Sequence, residues 1–226
     1  MKSFNVGEVV YANPLASEKD IDGFHMEGQA CITFPGGKMR MENALDPALG
    51  QASNFVFWCP QIMPASFQAS WQFQPIREPG LAMFWFGAHG QDGKDLFDPS
   101  LNKREGQYQQ YFDSDMNAYH ASYFRRKHET ERAFTTCNMR KSKGFHLVCQ
   151  GADPMPSVPD ITGPYTITVT KADNFIQFKV NDLVSFEWED DGETYGPVWQ
   201  DGYIGFRQMA PLIADYSNLE IRELKL

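Results

Sequence analysis

The stretch Tyr165-Thr-Ile-Thr-Val-Thr170, continued by Phe175-Ile-Gln-Phe-Lys-Val180 and Leu183-Val-Ser-Phe-Glu-Trp188, decides the fold. Tyr165, Ile167 and Val169 alternate with three threonines, the period-2 pattern of a strand with one buried and one wet face. Ile176, Phe178 and Val180 repeat it and close at Asn181-Asp182, a short polar turn. The third run ends at Asp190-Asp191-Gly192. Three short strands joined by tight turns, with no helix between them, form an antiparallel meander.

The same grammar extends in both directions. Gln29–Phe34 ends at Pro35-Gly36-Gly37, and Asn54–Trp58 ends at Cys59-Pro60. Phe67–Gln74 sets Phe67, Ala69, Trp71 and Phe73 against Gln68, Ser70, Gln72 and Gln74. Leu81–His89, Gln107–Phe112, Asn117–Arg126, Phe145–Gln150, Tyr203–Gln208 and Ser217–Leu226 read as further strands. Around a dozen strands without a βαβ pattern predict one all-β domain over residues 1–226: a jelly-roll sandwich of two antiparallel sheets with its terminal strands adjacent.

Composition agrees. At 226 residues and 42% apolar, the chain is ordinary for a single sandwich, and its 14% aromatic content suits two large sheets packed face to face. No apolar run of 18 residues is present, which excludes a membrane-spanning helix, and the first residues lack the apolar core of a signal peptide. The expected location is cytoplasmic. Cys31, Cys59, Cys137 and Cys149 have no metal spacing and read as reduced thiols; Cys31 and Cys149 alternate with apolar neighbours, as core residues do. A net charge of −9 argues against a nucleic-acid partner. Arg125–Lys143 is the exception, with seven Lys or Arg against Glu129 and Glu131, a patch able to steer an anion. A solvated loop that happens to be basic accounts for it equally well.

Five segments carry a resemblance. Asp173–Asp182, Asp201-Gly-Tyr-Ile-Gly-Phe-Arg207 and Tyr216-Ser-Asn-Leu-Glu-Ile-Arg-Glu-Leu224 resemble the closing strands of concanavalin A-like jelly rolls. Phe84-Trp-Phe-Gly-Ala88 and Tyr119-His-Ala-Ser-Tyr-Phe-Arg-Arg126 are similar to the YesU-like family of bacterial proteins over nearly the whole chain. The resemblance implies a jelly roll tied to polysaccharide use and carries over no catalytic residue.

The candidate site therefore rests on alternation. Asn117–Arg126 is expected to present Asn117, Tyr119, Ala121, Tyr123 and Arg125 on one face, and Leu81–His89 to present Met83, Trp85, Gly87 and His89 beside them. Trp85, His89, Gln107, Gln109, Tyr119, Tyr123 and Arg125 would then surround one depression on a concave sheet, with Glu105 the nearest carboxylate. Arg126 and the basic segment would overhang one end. Aromatic faces stack on the C–H face of a pyranose while polar tips bond its hydroxyls. His89 or His120 as base, Tyr119 or Tyr123 as acid and Arg125 neutralising a uronate are the parts of an acidic-glycan lyase. The paired carboxylates of a retaining glycanase, E-x-D-x-x-E on one strand, are missing, which disfavours hydrolysis by that route.

Asp113–Asn117 reads as a hairpin turn, because Ala118 and Phe124 stand where an EF-hand loop needs Gly and Glu. The five histidines lack zinc spacing. No cofactor is implied, although a structural calcium on backbone oxygens leaves no trace in sequence. The sequence thus supports a carbohydrate-active protein handling oligosaccharides from acidic plant polysaccharide, as a lyase or hydrolase. The alternatives are a non-catalytic, lectin-like module using the same groove, and a structural or homodimerising domain.

Overall fold

The computed structural model describes residues 4–126 and 135–225. It is a sandwich of two antiparallel sheets. The first runs β13(Leu183–Glu189)-β12(Phe175–Val180)-β11(Tyr165–Ala172)-β6(Phe67–Arg77)-β15(Ile213–Lys225)-β4(Met39–Asn43)-β3(Ala30–Thr33). The second runs β10(His146–Ala152)-β9(Thr136–Ser142)-β8(Met116–Arg126)-β7(Gly80–Gly90)-β14(Gly202–Met209)-β5(Phe55–Met63)-β2(His25–Gly28). The N-terminal strand β1(Asn5–Asn13) pairs with the C-terminal β15, so the terminal strands are adjacent.

The expected meander is β11–β12–β13, with Ile167 opposite Val180 and Phe178 opposite Phe186. Asn181 takes φ 52° in its turn, a conformation that asparagine tolerates better than most residues. Asn218 does the same inside β15 at φ 55°. There the strand changes neighbours: Ala214–Tyr216 face β4, residues 219–225 face β1, and the Asn218 amide donates to Pro14 O between them.

The core fills the space between the sheets. Trp71, Phe73, Ile167, Val169, Phe178 and Ile221 meet Phe57, Phe84, Phe86, Tyr119, Tyr123 and Phe206, all at most 4% exposed. Trp71 lies 4.4 Å from Phe84, and Phe73 packs edge-on to Tyr123 at 5.0 Å, geometries that aromatic quadrupoles favour.

Several expectations need correction. Gln107–Phe112 is not a strand; Gln109–Phe112 is the short helix α1, preceded by a loop. Strand β5 does not stop at Cys59-Pro60 but runs to Met63. Pro60 is accommodated because β2 pairs only with Phe55–Trp58, and the β5 to β14 register shifts there. Phe145 and Leu147 are exposed rather than inward, Cys31 is exposed and Cys149 half-buried. All four cysteines are free thiols. Residues 136–142 form β9 within the second sheet instead of a basic overhang, while 127–134 of that segment lie outside the described residues. No described helix is long and apolar enough to cross a membrane.

Candidate functional site

Strand β8 faces the opposite way from its expected register. Phe84 pairs with Ala121, Trp85 with His120 and Phe86 with Tyr119, and partners in an antiparallel ladder share a face. Since Phe84 and Phe86 point into the core, Tyr119 and Tyr123 do too, both fully buried. The Tyr119 hydroxyl is satisfied there, donating to Asp190 Oδ2 and accepting from the Trp199 amide at 2.9 Å. One hydroxyl on a large ring is a small polar debt, so the phenol buries its area. Neither tyrosine lines a groove.

The outer face of the second sheet instead presents Trp85, His120, Ser122, Asn138, Arg140 and Arg207. Its central strands are covered by the segment from Gln91 to Met116, which lays Leu96, Tyr108 and Tyr111 over Trp58, Met83 and Trp85. Trp85 is fully buried in this second cluster, 5.5 Å from Tyr111 and 4.1 Å from His120.

Tyr108, at the entry to α1, meets this face at its open side. Its hydroxyl lies 2.7 Å from His120 Nε2. Burial holds His120 neutral, well below its ordinary pKa, with the Arg140 and Arg207 charges adding to the effect. Burial also pushes the Tyr108 phenol up to about 12, against the pull of Arg140, Arg207 and Arg125. Arg207 stacks on the Tyr108 ring at 4.9 Å, and Arg140 on the exposed Phe145 at 3.6 Å.

Beyond the dyad, β8, β9 and β10 carry a polar row. Arg125 donates to Thr136 Oγ1 at 2.8 Å, and the Asn138 and Gln150 amides lie 2.9 Å apart. Arg125 and Arg140 are half-buried and make no ion pair among the described residues; Arg140 donates to Phe145 O at 2.9 Å. Two cations, two amides, a phenol and an exposed aromatic ring thus share one surface. It can bind an anion and hydroxyl groups together.

The remaining predicted residues scatter. His89 shares no face with Trp85: Gly87, at φ 57°, sits where the β7 to β8 register slips, turning Ala88 to the outer cluster and His89 toward Trp199. Arg126 is buried, bound to Asp153 and Met155 O. Glu105, paired with Lys103, and Gln107 line a cleft of about 650 Å³ over β2. Gln109 is exposed on α1 and reaches Asp113. The single expected depression is therefore not assembled; of its residues only His120 and the buried Trp85 are in contact, and Arg125 lies five residues further along β8.

Sequence reasoning missed Tyr108, Asn138, Arg140 and Gln150. Tyr108, Tyr111 and Phe112 have helical i, i+3, i+4 spacing, which was available in the sequence. Cys137, Met139 and Lys141 alternate with Asn138 and Arg140, a strand signal hidden by the number of charges. Among the described residues no group of three or more His, Cys, Asp or Glu is placed to hold a metal ion.

The chain belongs to the family described as Domain of unknown function (DUF1961), whose model matches residues 8–221. It is 47% identical over 220 residues to the uncharacterized protein YesU of Bacillus subtilis, covering 97% of this chain and 98% of that one. A crystal structure from Bacillus subtilis, described as a protein of unknown function with a galectin-like fold, superimposes with a TM-score of 0.94 at 46% identity, covering 98% and 99% of the two chains. The carbohydrate-binding module CBM66 from Bacillus subtilis shares the fold at a TM-score of 0.54 and 12% identity, over 89% of this chain and 96% of that one.

Proposed function

We propose that this protein binds acidic oligosaccharides on the outer face of its second sheet, between the Tyr108–His120 dyad and the β8–β9–β10 row. The observation that carries this reading is the pair Arg125 and Arg140, cations on one face without a described ionic partner. A uronate carboxylate would supply the missing charge, with bidentate geometry favouring arginine. Asn138 and Gln150 match sugar hydroxyls, and Phe145 offers a stacking ring. Likeness in fold to a carbohydrate-binding module supports the sugar class.

A lyase reading has one observation in its favour, the hydrogen bond between Tyr108 and His120. His120 is fully buried and cannot itself touch a sugar, so Tyr108 would exchange the proton and His120 would stand behind it. Calorimetry with uronate-containing oligosaccharides, read alongside ultraviolet absorbance, separates the two. Saturable binding without an unsaturated product supports the binding protein, and accumulation of that product supports the lyase. Absence of both across pectic, alginate and glucuronan fragments removes the acidic-sugar proposal.

A further inference from the structure

A second cleft, of about 470 Å³, opens at the other end of the second sheet, where β7 finishes and β14 begins. It is lined by His89, Asp95, Trp199, Gln200, Asp201 and Tyr203. In the ladder His89 pairs with Asn117, whereas Gly80 pairs with Arg126. The eight residue steps from Asn117 to Arg125 put this cleft roughly 27 Å from that arginine, and the three steps from Asn117 to His120, the partner of Arg140, put it about 10 Å from the near end of the arginine row. We infer that it is a separate binding site for a neutral saccharide, which goes beyond the acidic-sugar reading and does not depend on it.

The aromatic wall is fixed before any ligand arrives. The Trp199 amide donates to Tyr119 Oη and its Nε1 to Ser142 O, both at 2.9 Å. The preceding loop is tied down by the buried Lys141, which binds Asp190 Oδ2 and Gly196 O at 2.7 Å each. A ring held at both ends costs little ordering entropy on binding. His89 packs edge-on against it at 5.3 Å, with Nδ1 bonded to Gly87 O.

The polar groups select the ligand. Asp95 accepts from the Tyr203 hydroxyl and the Phe97 amide, one bond to each oxygen, which leaves lone pairs for sugar hydroxyls. Asp201 and Gln200 are exposed at the rim. Among the described lining residues two carboxylates stand against one cation, Lys94, itself bonded to Ser100, while the nearby Lys141 is neutralised by Asp190, so the cleft repels a uronate. An ammonium ligand is also disfavoured, because Lys141 Nζ already stands 5.0 Å from the Trp199 ring centroid. A neutral pyranose, apolar on its C–H face and rich in hydroxyl donors, fits both constraints.

The test uses the full chain with neutral gluco-, galacto- and manno-oligosaccharides as probes and oligogalacturonate as the acidic control. Amide and indole NMR shifts on titration should cluster at Trp199, Gln200 and Asp201. The exposed double substitution Gln200→Ala/Asp201→Ala should weaken neutral-sugar binding by at least about tenfold. It should leave binding of the acidic control within about twofold, since the two sites share no residue. Absence of binding by every neutral probe overturns the inference, as do shifts confined to the Arg125–Arg140 row. Loss of acidic binding alone, in Arg125→Ala, would bear on the other site and leave this cleft standing.

Discussion

The Tyr108 hydroxyl sits 2.7 Å from Nε2 of His120, which joins the covering segment of the second sheet to that sheet's strand β8. Among the described residues His120 Nδ1 has no partner, so this is the imidazole's single hydrogen bond there, in a fully buried position. Tyr108→Phe removes it and leaves both ring nitrogens unsatisfied. Urea denaturation should show a loss of about 1–3 kcal/mol, while sugar binding weakens through the lost hydroxyl.

Stability should fall on the acid side through the same histidine. The fold keeps His120 neutral well below 6.5, so below that pH the unfolded chain binds a proton that the native chain does not. The unfolded state therefore gains, and stability drops toward about 1.4 kcal/mol per pH unit for this one group. Tyr108 acts at the alkaline end: with its pKa raised from 10.0 to about 12, its contribution is intact below 10 and lost between those values. Denaturation curves from pH 5 to 7 on wild type and His120→Asn check the acid limb, which should flatten in the variant.

Acidic selectivity should reside in the arginine pair. Arg125→Ala or Arg140→Ala should weaken acidic-oligosaccharide binding by about tenfold or more, with a smaller loss for a neutral analogue, and added salt should narrow the difference. An equal loss for both ligands would make these residues packing elements only.

Lys141 and Asp190 form an ion pair with exposures of 0% and 1%, and Tyr119 shares the same carboxylate oxygen. Lys141→Met strands a buried charge and should cost about 3–5 kcal/mol. Adding Asp190→Asn removes the orphaned charge while keeping an acceptor for Tyr119. The double variant should recover part of the loss in the same denaturation assay.

Gly205 lies against the face of Trp58, where an added Cβ would come within 2.5 Å of the ring. Trp58 cannot retreat, being fully buried with its Nε1 bonded to Glu27. Gly205→Ala should destabilise by about 1–3 kcal/mol, visible as a lower melting temperature without a change in sheet content.

By itself the sequence determined the architecture. Strand period, turn residues and the Asn181 and Asn218 positions are local properties, written in consecutive residues, and they produced the antiparallel sandwich with its termini side by side. Tertiary structure decided which face each strand shows. Alternation defines two faces of β8 without saying which is inside; the Phe84 and Phe86 ladder partners, and an acceptor for the Tyr119 hydroxyl, settled that. A single bulge at Gly87 then removed His89 from the face of Trp85. The candidate site was out of reach for the same reason, since Tyr108, His120, Arg125 and Arg140 come from a loop and two strands. Their proximity is a product of pairing and packing, which act between residues that no local pattern connects.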